Sequence, residues 1–206
     1  MRRQAALSVL TVAIFLIGAW NFQPTSQAAA DAAIGKAFFA GGCFWCMEEA
    51  FEKVEGVQSV TSGYMGGAVA NPSYEEVSAG RTGHAESVEV VYDQAKVSYQ
   101  KLLDVFWRNV DPVTPNAQFC DHGSQYRSAI FFRTDDERRA SDTSKQAIEQ
   151  SRRFKEPIVT QIMVASQFYP AEEYHQDFYK KNPVRYKFYK YNCGRAKRLE
   201  ELWEKP

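Results

Sequence analysis

Lys36-Ala37-Phe38-Phe39-Ala40-Gly41-Gly42-Cys43-Phe44-Trp45-Cys46-Met47-Glu48-Glu49 is the stretch around which the rest of the chain is arranged. Lys36-Ala37-Phe38-Phe39 reads as a buried strand. Beyond the glycines, Met47, Ala50, Phe51 and Val54 recur at helical spacing until Gly56 supplies a stop. Cys43 is therefore expected at a strand-to-helix junction, close to the first helical turn. Unpaired N–H groups and the positive end of the helix dipole favour an anion there, and the reactive form of cysteine is the thiolate. Gly41 and Gly42 are expected to let backbone and substrate approach the sulfur without a side chain in the way. The plainer alternative is a small buried cysteine beside a tight turn.

Working outward toward the start of the chain, Met1-Arg2-Arg3-Gln4 is a positive segment followed by a mostly apolar run over 5–20. Small residues come next, with Ser26-Gln27-Ala28 and Gln27-Ala28-Ala29 as cleavage contexts. This pattern reads as a secretory signal peptide over 1–28, followed by a single catalytic domain over 29–206. The alternative is an uncleaved inner-membrane anchor facing the periplasm, for which the apolar run is short against a span of ~20 residues. Cleavage removes Arg2 and Arg3 and leaves a formal charge of −2. A periplasmic location is expected, where cysteines can be oxidised, with no stable membrane association after cleavage.

A chain of 206 residues, 45% hydrophobic, can bury a sizeable core without disulfide staples. Its 25 basic and 25 acidic side chains leave no electrostatic footprint for nucleic acid or an anionic membrane surface. Two structural disulfides would account for the four cysteines. However, Cys43-x-x-Cys46 has a spacing more typical of redox or metal sites. Zinc finds little support, because His84, His122, His175, Cys120 and Cys193 are scattered without ligand spacing.

Downstream, 57–64 reads as a strand leading into Gly66-Gly67, and a short helical turn follows Asn71-Pro72-Ser73-Tyr74. Residues 87–92 form a β-branched strand. Ser98 is an expected N-cap for a helix carrying Tyr99, Leu102, Leu103, Phe106 and Val110 on one face. A polar loop over 113–125 precedes a strand over 126–133. Thr134-Asp135-Asp136-Glu137 reads as a capping box for a charged helix to about Phe154. A strand over 158–165 is next, then a helix over 172–181 stopped before Pro183. An aromatic, basic tail turns at Asn192-Cys193-Gly194 and ends in a short helix. Irregular alternation of strands and helices suits an α+β fold, a two-layer α/β sandwich, better than a doubly wound sheet.

Three motifs stand in order. They are Gly41-Gly42-Cys43-Phe44-Trp45, Gly83-His84-Ala85-Glu86, and Asp121-His122-Gly123-Ser124-Gln125-Tyr126-Arg127-Ser128. Together they resemble the peptide methionine sulfoxide reductase A family, over about 37–203. The resemblance implies a mixed central sheet with a ferredoxin-like core. It implies that Cys43 attacks the sulfur of methionine sulfoxide, with Phe44 and Trp45 as an apolar wall for the substrate methyl group. Glu86 would protonate the departing oxygen, Tyr74 and Tyr126 would donate hydrogen bonds to it, and Asp121 would belong to the same polar cluster. Chemistry agrees with these roles: a sulfoxide is a poor electrophile until its oxygen is protonated. A carboxyl held among aromatics is kept neutral by desolvation.

Reduction leaves Cys43 as a sulfenic acid, which a second thiol converts to a disulfide. The family pattern points to Cys193 as that resolving thiol. Cys46, where many relatives carry glycine, is the alternative, and Cys120 reads as a small core residue. The resemblance further implies the S epimer of methionine sulfoxide, in oxidised proteins and peptides or as the free amino acid. It also implies a thioredoxin-like reductant and no metal or organic cofactor. Two other readings stay open: a thioredoxin-like oxidoreductase using Cys43 and Cys46, and a secreted binding module with two inert disulfides.

Overall fold

The computed structural model describes residues 33–203, so the signal peptide expected over 1–28 lies outside the described residues. Strand β1 (Ile34–Gly41) runs straight into helix α1 (Phe44–Glu52), as the spacing of Met47, Phe51 and the strand residues anticipates. Strand β2 (Val57–Met65), a short helix α2 (Tyr74–Ser78), strand β3 (Ala85–Asp93) and helix α3 (Tyr99–Arg108) follow. A small hairpin, β4 (Ala117–Gln118) with β5 (Asp121–His122), leads to strand β6 (Ser128–Phe132) and helix α4 (Asp135–Gln150). Strands β7 (Gln161–Val164) and β8 (Tyr169–Pro170) precede the helices α5 (Phe178–Lys181), α6 (Pro183–Asn192) and α7 (Arg195–Trp203).

The main sheet has the order β7-β6-β1-β3-β2-β8. Its four central strands pair antiparallel, and β7 adds a parallel edge to β6. The succession β1-α1-β2-β3-α3-β6 with spatial order β6-β1-β3-β2 is the ferredoxin-like split βαβ arrangement. The sheet is mixed, as expected.

Alternation along β1 divides the core. Ala37 and Phe39 point to the helical layer, where Phe39 stacks on Phe51 at 4.9 Å and Phe106 at 5.3 Å. Phe38 and Ala40 point the other way, into a smaller cluster with Met65, Ala85, Ala129 and Phe131. Leu102, Leu103, Phe106 and Trp107 form the buried face of α3, whose N-cap Ser98 accepts from the Lys101 N–H.

Several local expectations change. Thr134 caps α4, but the Glu137 carboxylate reaches past the cap to the Arg133 N–H at 2.7 Å, so the reciprocal box is displaced by one residue. The full capping box is Ser73 with Glu76, at the start of α2. The helix expected over 172–181 is broken into a 3₁₀ turn (Glu173–His175) and α5, separated by Asp177 at φ +54°. Helix α5 ends at Lys181, before Pro183 as expected, and Pro183 then opens α6, because a proline in the first turn has no N–H to leave unpaired. Tyr126 lies in a 3₁₀ turn (Ser124–Tyr126) just before β6.

The paired glycines also serve a different purpose. A Cβ on Gly42 would lie 2.4 Å from Gln118 Cβ, and its φ of +76° already disfavours a side chain. A Cβ on Gly41 would strike Met47 and Val110. The space beside the cysteine junction is filled by the protein itself, not kept for substrate. Gly42→Ala should therefore destabilise by about 1–3 kcal/mol, lowering the Tm by roughly 2–4 °C per kcal/mol in a chain of this size. Calorimetry of the purified variant checks this, and an unchanged Tm would refute it.

Candidate active site

Cys43 is the N-cap of α1, and its carbonyl accepts from the Cys46 N–H at 3.1 Å and the Met47 N–H at 3.3 Å. The Phe44 N–H at the helix start has no such internal partner. It donates instead to Glu86 Oε2 at 3.0 Å, across from β3. Glu86 is buried, and desolvation raises its carboxyl to about 8 despite the opposing hydrogen bond from Phe44. It is a neutral acid at pH 7.

Cys43, Phe44, Trp45, Tyr74, Glu86, Asp121 and Tyr126 line one cavity of about 60 Å³, and Tyr189 of α6 completes it. The structure thus gathers every proposed chemical and wall residue in one place. Tyr74 opens α2, and its backbone N–H is held at 2.8 Å by Glu172, which also accepts from the Tyr64 hydroxyl. Burial pushes the Tyr74 phenol up to about 12 and raises that of Tyr126, so both keep their protons. Asp121 accepts from the Tyr189 hydroxyl, and burial raises its carboxyl. A larger groove between α3, α4 and α7 holds no cysteine or histidine and lies elsewhere.

The aromatic wall is fixed by residues outside the three motifs. Trp45 stacks flat on Phe178 at 3.7 Å, and its indole N–H donates to His175 Nδ1 at 3.1 Å. His175 is buried and packs on Phe44 at 5.0 Å and Tyr74 at 4.4 Å. Desolvation lowers its pKa, which keeps the ring neutral with Nδ1 free to accept. His84, by contrast, is structural. Its Nδ1 accepts from the Gly67 N–H and its Nε2 donates to the Val69 carbonyl, tying down the loop after β2. Arg127 likewise clamps Gly83, Ser124 and Gln161.

The cysteines divide into two pairs. Cys43 and Cys46 are free, buried, and hydrogen-bonded through their side chains. Cys120 and Cys193 form a disulfide. Cys120 is exposed, so it is not the small core residue expected, and Cys193 is not free to meet Cys43 directly. Burial raises the Cys43 thiol. The hydrogen bond from Cys43 lowers Cys46 to about 6, with Arg195 and Lys190 adding positive charge. The two thiols titrate as one coupled pair, with Arg195 and Lys190 favouring a negative charge near Cys46.

The chain is similar to known proteins. A model of the peptide methionine sulfoxide reductase family matches residues 35–206. The chain belongs to this family. The peptide methionine sulfoxide reductase MsrA of Listeria innocua is 48% identical over 169 residues, covering 82% of this chain and 96% of that one. The MsrA of Halalkalibacterium halodurans is 48% identical over 170 residues, covering 82% and 97%. Reduced Mxr1 from Saccharomyces cerevisiae superimposes with a TM-score of 0.70 at 32% identity, covering 74% of this chain and 88% of that one.

Within the family frame, the groups that sequence reasoning missed are Tyr189, His175, Phe178 and Arg195. All lie within 175–195, where the sequence reads only as a helix over 172–181 and an aromatic, basic tail. Arg195 is buried, with its guanidinium 2.5 Å from the Asn109 carbonyl and 3.4 Å from the Gly41 carbonyl. Arg195→Met should move the ultraviolet thiolate titration of the Cys43–Cys46 pair upward by roughly 1–3 units. A titration unchanged from wild type would exclude the arginine as a source of thiolate stabilisation.

Proposed function

We propose that this protein reduces methionine S-sulfoxide, free or within oxidised proteins, with Cys43 as nucleophile and Cys46 as the first resolving thiol. The single observation that carries this reading is the one cavity lined by Cys43, by Glu86 with its raised carboxyl pKa, and by Phe44 and Trp45. A methyl group can rest against the two aromatic faces while the sulfinyl oxygen points to Glu86, Tyr74 and Tyr126.

The reaction proceeds with all protons placed. Cys46 takes the Cys43 proton across their hydrogen bond, and Cys43 attacks the sulfinyl sulfur. Glu86 protonates the oxygen as the S–O bond weakens, and the phenols of Tyr74 and Tyr126 stabilise the developing charge. The S–O bond breaks, the released hydroxide attacks the Cys43 sulfur and breaks its bond to the substrate sulfur, so methionine leaves and Cys43 keeps the oxygen as the sulfenic acid. Cys46, now a thiol, attacks that sulfur. Its proton leaves with the hydroxyl as water, and a Cys43–Cys46 disulfide remains. One sulfoxide has gained two electrons, and the two thiols have lost them. A thioredoxin-like dithiol restores the pair, and the first 28 residues direct the protein to the periplasm.

The Glu86 carboxyl is active when protonated, and its folded value of about 8 lies above the ordinary 4.5. Methionine formation in a single turnover should therefore hold up to neutral pH and fall as pH rises through about 8. Glu86→Gln should slow the step by about 10²–10⁴-fold and remove that alkaline limb. Rapid-quench measurement with a peptide sulfoxide tests both. A Glu86→Gln variant with wild-type rate and profile would dismiss the acid role, and a Cys43→Ser variant that still makes methionine would dismiss the reading as a whole.

A further inference from the structure

We propose that Glu172 is a positioning residue for the reduction: its carboxylate holds the Tyr74 phenol at the sulfinyl oxygen by tying the start of α2 to β2. This rests on the reductase reading above and adds to it a residue that touches none of the reacting atoms.

Helix α2 does not place Tyr74 by itself. It has five residues, and of these only Val77 is buried. A helix of that length has no stability of its own, so its orientation is set by what it is tied to. The capping box of Ser73 and Glu76 orders the first turn internally and fastens it to nothing else. At the far end, Gln125 Nε2 donates to the Ser78 carbonyl at 2.8 Å. At the near end, the Tyr74 N–H is one of the amides a helix leaves without an internal partner, and it donates to Glu172 Oε1 at 2.8 Å.

The other oxygen of Glu172 is held as closely. Oε2 accepts from the Tyr64 hydroxyl at 2.8 Å, and Tyr64 is fully buried on β2. Strand β8 brings Glu172 to this point. It pairs Tyr169 with Tyr64 and Pro170 with Gly63, and the Ala171 N–H then donates to the Ser62 carbonyl at 2.9 Å. Burial works against a charge on Glu172. Hydrogen bonds from its own backbone N–H, from the Tyr74 N–H and from the Tyr64 hydroxyl outweigh it and hold the carboxyl below the usual range. Glu172 is therefore an anion at neutral pH, an acceptor at both oxygens.

The register of the sheet links this tie to the reaction. Tyr64 stands directly opposite Glu86 in the β2–β3 pairing. The acid and the anchor of Tyr74 thus share one rung. Through Glu172, the spacing of the two groups that meet the sulfinyl oxygen is set by the sheet rather than by a short helix at the end of a loop. Three residues beyond Glu172, the His175 ring packs on the Tyr74 ring at 4.4 Å and steadies it from the side. Misplacing a group by about 1 Å costs on the order of 10²-fold in rate.

Rapid-quench measurement of methionine formation from a peptide S-sulfoxide tests this. Glu172→Ala removes both acceptors and should lower the rate at saturating sulfoxide by roughly 10–100-fold with KM unchanged. Glu172→Gln should keep most of the rate, because its amide oxygen accepts from the Tyr74 N–H while its NH₂ donates to the Tyr64 oxygen. In a Tyr74→Phe background, which lacks the hydroxyl being placed, Glu172→Ala should change the rate by no more than about two-fold. Four results would overturn the proposal and leave Cys43 and Glu86 in their roles: a wild-type rate in Glu172→Ala, a change in KM alone, a Glu172→Gln variant as slow as Glu172→Ala, or a loss repeated in full beside Tyr74→Phe. A wild-type rate in Tyr74→Phe itself would take Tyr74 out of the reading, and the proposal with it. If Glu172→Ala does not fold, Tyr64→Phe carries the same test, since it frees one oxygen of Glu172 without emptying space. It should slow the reaction alone and not beside Tyr74→Phe, and a wild-type rate would overturn the proposal.

Discussion

The hydrogen bond from the Phe44 N–H to Glu86 is the constraint on which the rest of the site depends. The first amides of a helix lack internal partners, and leaving one buried and unpaired is costly. Here the amide is answered by a carboxyl on β3, the strand paired with β1, which delivers the chain into α1. One contact therefore joins the nucleophile's helix to the acid. It also holds the Glu86 carboxyl beside the aromatic wall, where desolvation keeps it protonated. The hydrogen bond alone would favour the carboxylate. Burial outweighs it, and the sign of that balance decides whether Glu86 can act as an acid.

The same competition between burial and local charge separates the two cysteines of Cys43-x-x-Cys46. Helix position favours an anion at both, since each lies within the first turn. The deciding difference comes from the far end of the chain. Arg195 and Lys190 stand near Cys46, and Tyr186 adds a hydrogen bond to it, while Cys43 is fully buried near the Glu86 carboxyl. Positive charge near Cys46 eases removal of the Cys43 proton, and in the proposed reaction this gives Cys46 two uses: proton acceptor first, resolving thiol second.

The C-terminal helices act as a roof over this pair. Phe178 and Tyr186 close a small cluster around Cys43 and Cys46, and Tyr189 reaches the reaction cavity. Glu49 on α1 fastens the roof by accepting from Tyr186 and Lys190, and Glu48 accepts from the Asp177 N–H. These carboxylates look from the sequence like the solvated face of an amphipathic helix. They are instead the attachment points of the C-terminal helices, with Glu48 only 1% exposed.

Local sequence determined the strand-to-helix junction at Cys43, the α+β class and the three motifs, because strand alternation, helical spacing and glycine stops act over a few residues. The family resemblance, carried by those motifs, named Cys43, Glu86, Tyr74, Asp121 and Tyr126, and these come together in one cavity. Local sequence did not determine how the cysteines pair. Cys120 and Cys193 are 73 residues apart, and their bond depends on α6 folding back against the β4–β5 hairpin. Nor did it separate His84 from Glu86 within one motif: His84 precedes β3 and is bound to the loop after β2, whereas Glu86 lies on β3 and lines the cavity. The break between the 3₁₀ turn and α5, and the start of α6 at Pro183, were equally hidden, because helical spacing continues across both. Tertiary packing decided these points, through contacts between segments that no short-range pattern connects.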